Sequence, residues 1–316
     1  MVAFVVGVGA FALLVHTVGW AGIETAIAHV GISFVAIALI DLGSMFCDAA
    51  ELYCFVRTQQ HLGFWRVFAA QASGLAINRL TPTNSFGEPL KVTILMEDIP
   101  EATAVSAVLM FNLSTMLVAT TTIVIGVPLT ILMLDLPMEL QLAVCTAVVG
   151  LVAIVVTILV IVRRGALGAA IGALRRMRIL SPERAERWVA RSAGIDANLR
   201  RYGDTWSRRG LAFAAGSRVC SWIGTIVLLR AAGIELTLPL VLGVLTVGQL
   251  LMWLSNIIPF GIGLYDSGSY ALYGALGASG AEGMGFAMVN RVRTCVLALI
   301  GLSVMFVAGI AKRRRT

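Results

Sequence analysis

The sequence predicts an all-α polytopic membrane protein with about six spanning helices and two broken, re-entrant hairpins. Three observations predict it. Of the 316 residues, 59% are hydrophobic and 13% charged, and the mean hydropathy is +0.91, whereas soluble domains carry about 25% charged residues. Several apolar runs reach the roughly 20 residues that cross a hydrocarbon core. Two polar stretches rich in Pro and Gly, NRLTPTNSFGEPLK at 78–91 and NIIPFGIGLYDSG at 256–268, interrupt such runs. No stretch reads as a soluble core, so residues 1–316 are expected to form a single transmembrane domain.

In chain order, the run 2–21 has no cationic region before it and reads as a retained helix rather than a cleaved signal. Further spans fall near 31–56, 102–134, 140–162, 210–232 and 284–311. The segments 66–81 with 88–97, and 238–258 with 264–277, flank the two polar breaks. Each arm of the first pair is too short to cross, so it is expected to enter and leave by one side. The loops near 22–30, 135–139, 233–237 and 278–283 hold no Lys or Arg. Cationic loops stay cytoplasmic. Six spans with both termini inside a bacterial inner membrane satisfy every loop, and the two hairpins then enter from opposite sides.

The net charge of +7 does not indicate a nucleic-acid partner. Twelve of the 24 Lys and Arg residues lie in 163–209, and Lys312, Arg313, Arg314 and Arg315 lie in the tail. Ser181-Pro182-Glu183 reads as a helix start, with Ser as cap and Pro in the first turn. Leu174, Met177, Ile179, Trp188, Val189 and Ile195 place apolar anchors among the arginines. The segment therefore suits amphipathic helices on the inner leaflet, in contact with anionic lipid; a loop that only fixes topology is the other reading. The five cysteines sit singly in apolar segments, and His16, His29 and His61 are scattered. No metal or cofactor is expected.

An internal repeat links the breaks. At a fixed offset of 178, Gln71 falls on Gln249, Asn78 on Asn256, Glu88 on Asp266 and Asn112 on Asn290. Repeat one covers about 31–134 and repeat two about 210–311. The helix before the first break runs inward and the one before the second runs outward, so the repeat is inverted. Paired Gly/Pro-interrupted segments in an inverted repeat point to a transport site near the midplane. Irregular backbone at membrane depth persists only where protein or water satisfies it. The breaks are therefore expected to face each other, with Glu88 and Asp266 on one polar cavity. Asn78, Pro82, Gly87, Pro89, Asn256, Pro259, Gly261 and Gly263 are the expected hairpin-forming residues.

Charges within apolar segments each cost about 2.5–3.5 kcal/mol at mid-helix unless paired or hydrated. Asp41, Asp48 and Glu51 share one helix face by their spacing. Arg79, Lys91, Arg291 and Arg293 could attract an anionic head group, and Glu88 and Asp266 could orient the hairpins or carry a proton. The expected substrate-binding set is Asp41, Asp48, Arg79, Glu88, Lys91, Asp266, Arg291 and Arg293; internal ion pairing is the competing role for the same residues. Arg218 and Arg230 read as packing or snorkelling residues.

PTNSFGEPLK at 82–91 resembles the Pro…Gly-Glu-Pro signature of the lysylphosphatidylglycerol synthase/flippase transmembrane family. IPFGIGLYD at 258–266, followed by Asn290-Arg291, is similar to its second signature. The resemblance points to Pro82, Gly87, Glu88, Pro89 and Lys91, and to Pro259, Gly261, Gly263, Asp266 and Arg291. It departs from the family at Asp266, where Glu is usual, and at Phe111-Asn112, where an acidic residue and Arg are common. It implies a stand-alone flippase-like membrane domain without an aminoacyltransferase domain. Such a domain moves a lipid with a polar, anionic or modified head group between leaflets. A membrane enzyme acting on a lipid-linked substrate, or a small-anion secondary transporter, is the alternative; no nucleotide-binding loop or metal cluster supports the enzyme. The expected partners are a membrane lipid as substrate and anionic inner-leaflet lipid, with homo-oligomerisation left open.

Overall fold

The computed structural model describes residues 30–57, 62–81, 86–133, 138–164, 167–176, 181–204, 208–255 and 264–313. The expected first span at 2–21 and the hairpin residues Pro82, Asn256, Pro259, Gly261 and Gly263 lie outside the described residues. Those described are helical and include no strand. Ser33–Arg57 forms α1, Phe64–Leu80 α2, Gly87–Leu95 α3, Glu101–Leu132 α4 and Met138–Arg163 α5. Leu167–Arg176 forms α6, Pro182–Asp204 α7, Arg208–Ala231 α8, Leu238–Ser255 α9, Leu264–Ala275 α10 and Gly280–Arg313 α11. Among the described residues, α1, α4, α5, α8 and α11 are long and apolar enough to cross a membrane. They match five of the six expected spans to within a few residues. The chain is an all-α multi-pass membrane protein.

The arms α2 and α3, of 17 and 9 residues, are about 26 and 14 Å long at 1.5 Å per residue. They fold into a hairpin because two glycines let their backbones meet. A side chain at Gly87 would strike the Gly74 carbonyl oxygen, and one at Gly74 would strike the Lys91 stem. The open ends are clamped by Arg66, whose Nε donates to Asp98 Oδ2 at 2.6 Å and whose Nη2 donates to Glu97. The start of α2 and the end of α3 are therefore held together. Gly87→Ala is expected to lose about 1–3 kcal/mol of stability through overpacking, read as a lower thermal midpoint in detergent.

Lipid tails are as apolar as Leu, so helices in a bilayer gain stability from close packing more than from burial. The long contacts here are built accordingly on small residues. Helices α1 and α8 run antiparallel: Ile40 lies beside Gly224, Ser44 beside Ser217, Cys47 beside Gly216 and Phe55 beside Gly210. Helix α11 crosses α2 at Gly301, against Ala72 and Ala76. Helix α4 crosses α9 at Gly126, against Thr246, whose hydroxyl lies 3.3 Å from that of Thr130.

Two apolar clusters mark opposite ends of the bundle. One gathers Phe55 at the end of α1, Val67 at the start of α2, Leu95 at the end of α3, and Leu199 of α7. The other gathers Val30, Leu229 at the end of α8, Leu240 at the start of α9, and Leu276 after α10. The α2–α3 pair thus opens toward one end of α1, and the α9–α10 pair toward the other.

The Arg-rich segment forms α6 and α7, and α7 begins at Pro182 as the Ser-Pro-Glu sequence requires. Its residues Ile195 and Leu199 pack on the first cluster, while Trp188 and Val189 are exposed. Gly168 N–H donates to Asp196 Oδ2 at 3.1 Å, joining the two helices. One apolar edge of α7 is therefore spent on the bundle and another is open.

Helix α11 starts with a reciprocal cap. The Ser279 N–H and hydroxyl donate to Glu282 Oε2 at 2.6 and 2.9 Å, and the Glu282 N–H donates to Ser279 Oγ at 3.2 Å. These bonds, the backbone one foremost, hold the Glu282 carboxyl below the usual carboxylate range. A depressed folded value means that the stabilisation is present above the unfolded value of about 4.3 and fades as pH falls through the folded one. Amide protection at 280–285 is expected to weaken on acidification in the parent protein, and to lose that dependence in Glu282→Gln, which has no carboxyl to titrate.

Candidate functional site

The Gly-Glu-Pro turn places Glu88 in the first turn of α3, where its carboxylate gathers donors from three helices. Asn78 Nδ2 of α2 and Lys91 Nζ of α3 each donate to Oε1 at 2.9 Å, and Asn112 Nδ2 of α4 donates to Oε2 at 3.0 Å. The Gly87 N–H donates to Asn78 Oδ1 at 2.6 Å, which fixes the amide's orientation. Lys91 is 3% exposed and sits 4.7 Å above the Phe111 ring. Phe111 and Asn112, the family departure noted in the sequence, thus both serve this hub: one faces the ammonium and the other bonds the carboxylate.

A cavity of about 160 Å³ lies between α1, α8, α9 and α11, with walls from α2 and α10. A space of that size suits a head group rather than a whole lipid. Its charged lining comprises Asp41, Asp48, Arg79, Arg218 and Arg293, with Gln249 and Asn290 beside them. The remaining wall includes Met45, Leu75, Trp222 and Met252. Three cations against two anions leave a surplus of one positive charge among the described lining residues.

Most of these charges are partnered. Arg293 Nε donates to Asp41 Oδ2 at 2.7 Å and Nη2 donates to Oδ1, a two-pronged pair across α11 and α1. Arg218 Nη1 donates to Gln249 Oε1 at 2.9 Å. Asp48 hydrogen-bonds Ser217, and Lys91, Arg218 and Arg79 bear on it electrostatically. Asp48 therefore links the hub to the cavity. Glu51 shares the acidic face of α1 but points into packing: it is fully buried and accepts a hydrogen bond from Ser114 of α4.

Of the residues expected from the sequence, Asp41, Asp48, Arg79 and Arg293 come together on the cavity. Glu88 and Lys91 join each other in the hub and are not in its lining. Arg291, on α11, is half-buried and also outside that lining. The Asp266 backbone belongs to α10, but its side chain, and so its separation from Glu88, lies outside the described residues. Arg230 is exposed at the end of α8, as snorkelling requires. Sequence reasoning missed Arg218 and Gln249 as cavity residues. The offset that marked Gln249 was the available signal, since the four positions it matched include two on the cavity lining, Gln249 and Asn290.

A family model described as Lysylphosphatidylglycerol synthase TM region matches residues 1–301. No curated protein and no solved structure matches the chain.

Proposed function

The chain belongs to the lysylphosphatidylglycerol synthase transmembrane family, a membrane domain of lipid-related proteins, and from that premise we propose that it moves a lipid with an anionic or zwitterionic head group between leaflets. The observation that carries this reading is the cavity: small, charged on both signs with one cation in excess, and walled by residues of both short-helix pairs. A head group enters it and the acyl chains stay in the bilayer.

An inverted repeat with re-entrant hairpins supplies the alternating access. Three observations support it. The helices α8 to α11 follow α1 to α4 at nearly the offset of 178 read from the sequence. The equivalent helices α1 and α8 pack antiparallel. The contacts of α2 with α11 and of α9 with α4 exchange under the same offset: Ala72 against Gly301 corresponds to Leu250 against Ile123. Rocking one hairpin against the bundle would turn the cavity from one leaflet to the other. The membrane in this reading is the bacterial inner membrane, with both termini cytoplasmic and the exposed face of α7 on anionic inner-leaflet lipid.

The test is reconstitution into vesicles carrying a fluorescent phosphatidylglycerol analogue, with loss of fluorescence to an external quencher measuring transfer. Transfer above protein-free vesicles is expected, and slower transfer of a cationic-lipid analogue. No transfer of any lipid, together with uptake of a small anion, would replace this reading by an anion transporter.

A further inference from the structure

The Asp41–Arg293 pair stands between two spaces. On one side is the charged cavity. On the other is a narrow cleft between α1 and α11, lined by Phe34, Ile37, Ala38 and Val296 and too tight for water. Asp41, Arg293 and Leu297 line both. The described residues of the cleft are otherwise apolar. The pair is thus the polar part of a wall separating a head-group-sized chamber from an apolar slot.

The geometry of the pair has the form of a bound ligand. A planar guanidinium offers two parallel N–H groups that match a carboxylate or a phosphate, a fork that Lys lacks. Both prongs are taken by Asp41, which is 5% exposed. Helix α8 carries glycine opposite: a Cβ at Gly224 would come within 2.9 Å of Arg293 Nη2. The missing side chain leaves the guanidinium room beside the carboxylate. The pair's remaining surroundings in the cavity are polar, with Asn290 one turn before Arg293 on α11 and Thr294 next to it.

We propose that Asp41 is a built-in stand-in for the substrate's anion. It occupies Arg293 when the site is empty, and an anionic head group displaces it. Displacement transfers Arg293 to the ligand and opens the wall between cavity and cleft, giving the acyl chains a path along α1. The recognised chemistry is a phosphate or carboxylate that can accept two parallel N–H bonds. This proposal rests on the lipid-transfer reading above and assigns the selectivity of that site.

The test uses full-length protein in detergent with Ala38→Cys in the cleft. Labelling of the peptide carrying residue 38 by a thiol reagent is followed by mass spectrometry, with and without short-chain phosphatidylglycerol, short-chain phosphatidylcholine or inorganic phosphate. Slow labelling that phosphatidylglycerol accelerates is expected, with phosphatidylcholine weaker. With Asp41→Asn added, labelling is expected to be fast without ligand. If the latch is closed about nine-tenths of the time, phosphatidylglycerol then binds about tenfold more tightly. Arg293→Lys, which keeps the charge but loses the fork, is expected to label fast and to bind without preference for the anionic lipid. It serves as the second variant should Asp41→Asn not fold. Unchanged labelling in these variants, or weaker anion binding in Asp41→Asn, would overturn the proposal and leave the pair a brace. Opening by inorganic phosphate alone would keep the latch and move the substrate to a small anion. Opening by lipid without transfer in vesicles would keep the latch and remove the translocation reading.

Discussion

Glu88→Ala is expected to destabilise the protein by about 3 kcal/mol or more, the typical cost of removing one partner from a buried ion pair. The change strands three donors at once. Lys91, at 3% exposure, loses its hydrogen-bonded counter-ion, and the Asn78 and Asn112 amides each lose an acceptor. The Phe111 ring returns about 0.5–2 kcal/mol at most to an ammonium, too little to balance the loss. Lys91 then has Asp48 and Glu51 as the acidic groups it still bears on, and through Asp48 the damage extends to the cavity. Thermal unfolding in detergent checks the size of the effect. The double variant Glu88→Ala with Lys91→Met is expected to recover most of the stability, because it removes the stranded charge along with its partner. If the single variant is as stable as the parent, Glu88 is not a structural hub, and the substrate-binding role that the sequence assigned to it regains weight.

The largest functional effect is expected from Arg218→Ala. Arg218 donates to the neutral Gln249, so its charge is open to a ligand from the start, whereas Arg293 becomes available only once Asp41 is displaced. A hydrogen bond to a charged group contributes about 1.5–3 kcal/mol. Transfer of an anionic lipid should therefore fall by about ten- to a hundredfold, while transfer of a zwitterionic lipid falls less. The thermal midpoint should change little in comparison, since Gln249 is left facing a polar cavity that water can enter. Vesicle assays of both lipids with this variant check the prediction. Equal losses for both lipids would mean that Arg218 acts on the fold rather than on the head group.

Much of the architecture was legible in the chain because a bilayer imposes strict rules. Backbone polar groups must be satisfied internally, so apolar runs of span length can only be helices. Five of the expected spans and all four short arms recur in the structure within a few residues. The constant offset marked Asn78, Glu88 and Asn112 as a set, and the structure joins these three on one carboxylate. Isolated polar residues in apolar surroundings carry that information because each is costly to bury without a partner.

Which partner each charge takes was not legible. Asp41, Asp48 and Glu51 lie on one helix face by spacing alone, yet two reach the cavity and the third faces Ser114. The difference depends on which helix stands opposite at each turn. Lys91 and Arg293 read alike in the sequence as cations near the breaks, but one is enclosed under Phe111 and the other is forked to a carboxylate 252 residues away. The chain by itself determined that this is a multi-pass helical membrane protein. It did so because hydrocarbon leaves the backbone no other choice. Only the tertiary structure decided which charges face the cavity and which are locked in packing, because ion pairing between helices depends on contacts that span hundreds of residues.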